Sequence, residues 1–122
     1  MQAHDYDRLM QANLATVFSE RDHERRLAAI AGLYTQDAVL YEPEAAVSGR
    51  AAISDAVAEL LDSLPPDFIF TAIAPAIGHH SVGRLRWQAG PPNGKATIYG
   101  MDIAHFEAEK IRSLYVYIEP RI

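Results

Sequence analysis

The sequence contains no cysteine. Disulfides, thiolate metal sites and thiol nucleophiles are therefore excluded, and the chain fits a reducing, cytoplasmic setting. It also lacks any apolar stretch approaching the ~20 residues of a membrane span. Its start, Met1-Gln2-Ala3-His4-Asp5, has neither the basic opening nor the apolar run of a secretory signal. Positive charge is scarce: 11 Lys and Arg against 16 Asp and Glu leave a net charge of −5, with a pI near 5.4. Arg25-Arg26 and Arg84/Arg86 are close basic pairs but form no stripe. Such a surface repels phosphate backbones, which argues against nucleic acid and anionic membranes as partners. Ser48, Ser54, Ser81 and Ser113 show no nucleophile-elbow context, and there is no Gly-rich phosphate loop.

What is present is enough for one domain over residues 1–122, with 49% hydrophobic residues to build a core. Tyr6, Leu9, Met10, Asn13, Leu14 and Val17 fall on one face at helical periodicity. Asn13 is the polar exception in that stripe. Ser19-Glu20-Arg21-Asp22 reads as a break with a new N-cap. Leu27, Ile30, Ala31 and Tyr34 mark the inner face of a second helix, where Gly32 allows close packing. Asp37 to Glu42 reads as a short strand ended by Pro43, which holds Glu42 in extended geometry. Ser48-Gly49-Arg50 opens a third helix with Ile53, Val57, Leu60, Leu61 and Leu64 inward, stopped by Pro65-Pro66-Asp67.

From Phe68 the period changes to two, giving strands at about 68–75, 77–89, 95–106 and 111–119. Pro91-Pro92-Asn93-Gly94 is a turn, and Glu107 to Lys110 makes a hairpin. Short links imply antiparallel pairing. Helices first and strands afterwards give an α+β class, three N-terminal helices packed on a curved antiparallel sheet. In the third of these strands Ile98, Gly100, Asp102, Ala104 and Phe106 share the inward face. The opposite face, with Tyr99, Met101, Tyr115 and Tyr117, has the composition of an interface, and a homodimer through it is expected. Asp102 stands out, because an ionised carboxylate in an apolar interior must find donors or keep its proton.

The run Tyr34-Thr35-Gln36-Asp37-Ala38-Val39-Leu40-Tyr41-Glu42-Pro43, followed by Gly49-Arg50, resembles the nuclear transport factor two-like superfamily in its SnoaL-like and ketosteroid-isomerase-like branches. The resemblance covers nearly the whole chain. It implies a cone-shaped barrel of bent sheet around an apolar pocket, commonly dimeric. It implies Glu42 as a general base, at the place of the isomerases' acid before proline. It implies Asp102, followed by Ile103-Ala104-His105-Phe106, as a protonated donor to an oxyanion, the raised-pKa arrangement for which ketosteroid isomerase is the standard example. Asn13 takes the place of the helix-one tyrosine that completes that hole. Leu114 and Ile118 stand where those enzymes line their pocket. With the inward positions Leu9, Val17, Tyr34, Val57, Leu61, Gly100, Ala104 and Val116 they make the expected pocket wall.

His79-His80 could suggest a metal, but adjacent strand residues face opposite sides, so a strand-end or turn role is expected and no metal site. His105 is assigned to the outer face. Arg84 and Arg86 share a face with Gln88, opposite Leu85 and Trp87, and read as a solvated face with salt bridges. Two functions fit. One is a cofactor-free isomerase, cyclase or lyase acting by proton transfer on a small apolar carbonyl compound. The other is a non-catalytic ligand-binding or dimerisation domain of the same fold.

Overall fold

The computed structural model describes residues 1–120; residues 121 and 122 of the expected 1–122 domain lie outside the described residues. Helix α1 (Ala3–Asn13) starts where the Asp5 carboxylate accepts the Gln2 backbone N–H at 2.8 Å. It buries Tyr6, Leu9, Met10 and Asn13, the face expected from periodicity. It then continues as one π-helical turn, Leu14–Phe18. The Asp22 side chain caps helix α2 (His23–Leu33) by accepting from Arg25 N at 2.9 Å. The inner face of α2 differs from the expected one. Arg26 and Ile30 are buried, while Ala31 and Gly32 are exposed and nothing packs on Gly32. The buried Arg26 guanidinium donates to Ser54 Oγ and to the Glu20 carbonyl, each at 2.9 Å, which satisfies it without an ion pair.

Tyr34 is not helical. It begins strand β1 (Tyr34–Glu42), which is longer than the expected Asp37–Glu42. A short strand β2 (Ala45–Ser48), not anticipated from the sequence, returns antiparallel to β1. Gly49, at φ +91°, then turns the chain into helix α3 (Arg50–Asp62), a conformation side chains disfavour. The remaining strands are β3 (Ile69–Ala72), β4 (Ile77–His79), β5 (Val82–Gly90), β6 (Ile98–Glu107) and β7 (Lys110–Ile118). The expected single strand over 77–89 is thus a hairpin. Its two-residue turn places His80 and Ser81 at φ +49° and +68°.

The sheet order is β2-β1-β7-β6-β5-β3, with β4 also on β5. The expected all-antiparallel sheet needs one correction, because β1 and β7 pair in parallel. That pairing joins the first strand in the chain to the last one, across a connection that holds α3 and the whole meander. The described strands follow an open path, so the curved sheet is mixed and has two ends. The helices cover its inner face. Trp87, Leu85, Ala104, Phe106, Ile111 and Leu114 meet Tyr6, Met10, Val17, Ile30, Ile53 and Val57 in one core. Each such large side chain contributes about 1.5–3 kcal/mol by leaving water.

Candidate functional site

Where helix cover stops, the inner face of the sheet opens into a cavity of about 410 Å³, within the range of roughly 300–1,000 Å³ typical of small-molecule sites. Its deep wall is Leu14 and Phe18 from the π-turn, Phe70 from β3, Trp87 from β5 and Asp102 from β6. Its rim is Glu42 and Pro43 at the end of β1, Leu60 and Leu64 of α3, Thr97 and Ile98, and Val116, Ile118 and Glu119 at the end of β7.

Asp102 is 3% exposed. Trp87 Nε1 donates to its Oδ1 at 2.9 Å. Every fully buried side-chain oxygen and nitrogen among the described residues has a partner. Asp102 Oδ2 accepts from none of the described residues, and Asp102 lines the cavity. Burial pushes the Asp102 carboxyl up to about 7, against the opposing pull of the Trp87 hydrogen bond. The Trp87 ring reaches this position because β5 and β6 pair Trp87 with Gly100, and a side chain at Gly100 would collide with the indole. Gly100 therefore does not act as a pocket wall. It makes room for the residue that does.

Glu42 ends β1 half-buried at the rim. Its carboxyl is raised, first by burial and then by the like charge of Glu59 on α3. The expectation that a stiff Pro43 holds Glu42 at a strand end accords with this geometry, and Pro43 itself lines the rim.

The other expected site residues separate by depth. Val116 and Ile118 line the cavity. Leu9, Val17, Tyr34, Val57, Leu61, Ala104 and Leu114 are buried in the core beneath it and do not. Asn13 also lies outside the lining. Its Oδ1 accepts the Tyr34 hydroxyl at 2.5 Å, with both groups sealed in the interior. An amide donor reaching the ligand is thus replaced by a closed core pair. Burial, and the nearby Asp102 charge after it, hold the Tyr34 phenol well above its ordinary range.

Sequence reasoning missed Leu14, Phe18, Phe70, Trp87, Thr97 and Glu119 as cavity residues. For Trp87 a signal existed: the sole tryptophan shares the inward face of its strand with Leu85. The two adjacent histidines come together at the β4–β5 turn, with Nδ1 atoms 2.9 Å apart. Strict alternation fails there because His80 has positive φ. Among the described residues no group of three or more potential ligands could hold a metal ion. Arg84 and Arg86 are exposed, and Arg86 reaches Glu119 at 3.7 Å.

The model of the SnoaL-like domain matches residues 14–114. The chain belongs to the SnoaL-like domain family. A candidate isomerase of this family from Agrobacterium tumefaciens superposes with a TM-score of 0.87 at 19% identity, over 95% of this SnoaL-like chain and 98% of that one. A candidate ketosteroid isomerase from Kribbella flavida gives 0.73 at 12% identity, over 98% and 82%. A candidate polyketide cyclase from Sinorhizobium meliloti gives 0.71 at 13%, over 95% and 99%. At these identities the likeness shows the fold. No curated protein matches the sequence. Among the described residues no helix is long and apolar enough to cross a membrane.

Proposed function

We propose that this SnoaL-like chain is a cytoplasmic, cofactor-free proton-transfer enzyme, an isomerase, cyclase or lyase, whose cavity takes a small, largely apolar carbonyl compound. The observation that carries the reading is Asp102: a buried carboxyl that lines an apolar cavity, with one oxygen fixed by Trp87 and a pKa near 7. At neutral pH roughly half of such groups hold a proton. Glu42 is the base. Its carboxylate takes a proton from the carbon α to the carbonyl, the electron pair moves to the carbonyl oxygen, and the protonated Asp102 donates a hydrogen bond to that developing enolate. Glu42 then returns the proton to a second carbon or oxygen, so no electrons are gained or lost overall. The names of the isomerase and cyclase neighbours support the same chemical class. Val116, Ile118 and the aromatic wall would hold the apolar body by burial.

The test is exchange of the α-hydrogens of 2-tetralone in D2O, followed by NMR. The native chain should accelerate it, and Glu42→Gln should not, while still binding the ketone. Equal rates for the two proteins would refute the assignment.

The alternative, a dimerisation or binding domain without chemistry, draws on the outer sheet face. There Tyr41 stacks on Tyr115 at 4.4 Å between ring centroids, and Tyr117 is 57% exposed. Two copies meeting through this face would cover those rings. Sedimentation of Tyr115→Ser against the native chain tests it, with dimer lost in the variant and retained in the native protein.

A further inference from the structure

The cavity wall is uneven in charge. Among the described residues it contains three carboxylates, Glu42, Asp102 and Glu119, and no Lys, Arg or His. Glu59 adds a fourth negative group close enough to Glu42 to perturb it. Two guanidinium groups are engaged away from the wall, and a third meets one wall acid. Arg50 donates to the Tyr34 carbonyl, and Arg26 to Ser54 and the Glu20 carbonyl. Arg86 reaches Glu119 from the outer face at 3.7 Å. Among the described residues Glu42 has no counter-ion and Asp102 Oδ2 has no donor. Apart from Thr97 the rest of the wall is apolar and includes the rings of Trp87, Phe70 and Phe18.

An anion moved into such a place gives up its hydration and meets like charge in a medium of lowered dielectric. A cation gives up hydration too. It gains carboxylates that lack partners and aromatic faces that attract positive charge. A neutral compound lies between them.

We infer that the cavity is charge-selective, preferring compounds that bear a protonated nitrogen, accepting neutral ones and turning away carboxylates and phosphates. The inference rests on the cavity being the ligand site, and it narrows the substrate to a neutral or basic carbonyl compound. Glu42 at the rim sets the preference before the ligand reaches Asp102, while Glu119 shares its charge with Arg86.

Three compounds with one apolar body test it: 2-naphthylmethylamine, 2-naphthylmethanol and 2-naphthoate. The single tryptophan lines the cavity, so its one indole N–H cross-peak in a 15N-labelled sample reports occupancy. Titration at a fixed pH of 8 and low salt should rank amine above alcohol above acid. Amine over acid should differ by about tenfold or more, the scale of one partly screened charge at contact. Glu42→Gln should narrow that gap, and Glu44→Gln, an exposed acid outside the cavity lining, should leave it. Equal affinity for acid and amine overturns the inference. So does equal narrowing by both variants, which would trace the preference to net charge. In either case a shift of the indole peak by the alcohol leaves the proposed site intact. If none of the three moves that peak, the site itself falls, and the inference with it.

Discussion

Two buried polar pairs lie near each other in this molecule and have different uses. Tyr34 and Asn13 are sealed at 0% and 1% exposure, and the phenol donates to the amide oxygen. Trp87 and Asp102 are nearly as buried, at 3% each, and the indole donates to the carboxylate. In the first pair the phenol hydroxyl and the amide oxygen satisfy each other, and neither residue lines the cavity. The second includes an ionisable group that lines the cavity, and its Oδ2 accepts from none of the described residues. Burial alone therefore does not make a polar group reactive. Reactivity needs one open valence and a charge state within reach of neutral pH.

The largest expected effect that would break this contrast is on chemistry. Glu42→Gln should slow ketone α-exchange by about 10²–10⁴-fold, the usual value of a positioned base, with binding changed only slightly. Deuterium incorporation measures the rate and the Trp87 indole shift measures binding.

The second effect is on stability. Because the Asp102 pKa is raised in the fold, from 3.8 to about 7, the native state holds a proton that the unfolded chain releases. Its contribution is present in full below about pH 4 and is lost as pH rises through 7, a span worth roughly 4 kcal/mol. Glu42, also raised, acts in the same direction. Asp5 and Glu20, both lowered first by hydrogen bonds from backbone N–H groups, act in the opposite one. Urea melts of native and Asp102→Asn proteins across pH 4–8 isolate the Asp102 part as a difference. That difference should vary with pH for Asp102→Asn and stay flat for Tyr34→Phe.

A smaller effect sharpens the sealed pair. Asn13→Ala strands the Tyr34 hydroxyl without its acceptor and should cost about 1–3 kcal/mol while leaving the pH dependence unchanged. Smallest of all, Trp87→Phe removes the donor that lowers Asp102, so the carboxyl should titrate higher still.

Much of the architecture could be read from periodicity. The inward face of β6 is Gly100, Asp102, Ala104 and Phe106, as alternation requires. The buried face of α1 matches its apolar stripe. Periodicity assigns a side but not a depth, so Leu9, Val17, Val57, Leu61, Ala104 and Leu114 point inward and are spent on the core. The parallel β1–β7 pairing joins Leu40 to Leu114 across most of the chain, and no local pattern announces it. A turn or strand-end place was expected for His79-His80, but the split of the 77–89 strand at His80-Ser81 was not, because such turns are usually marked by Asn or Gly. Asp102 was visible as a lone acid on an apolar face. Its partner was not, since pairing Trp87 opposite Gly100 depends on register.

The most direct measurement is titration of Asp102 in protein labelled with 13C at aspartate side-chain carboxyls, with Asp102→Asn for assignment. A midpoint near 7 that moves when 2-naphthol is added is the expected result. A midpoint near 4, indifferent to the phenol, would contradict the chemistry assigned to this cavity.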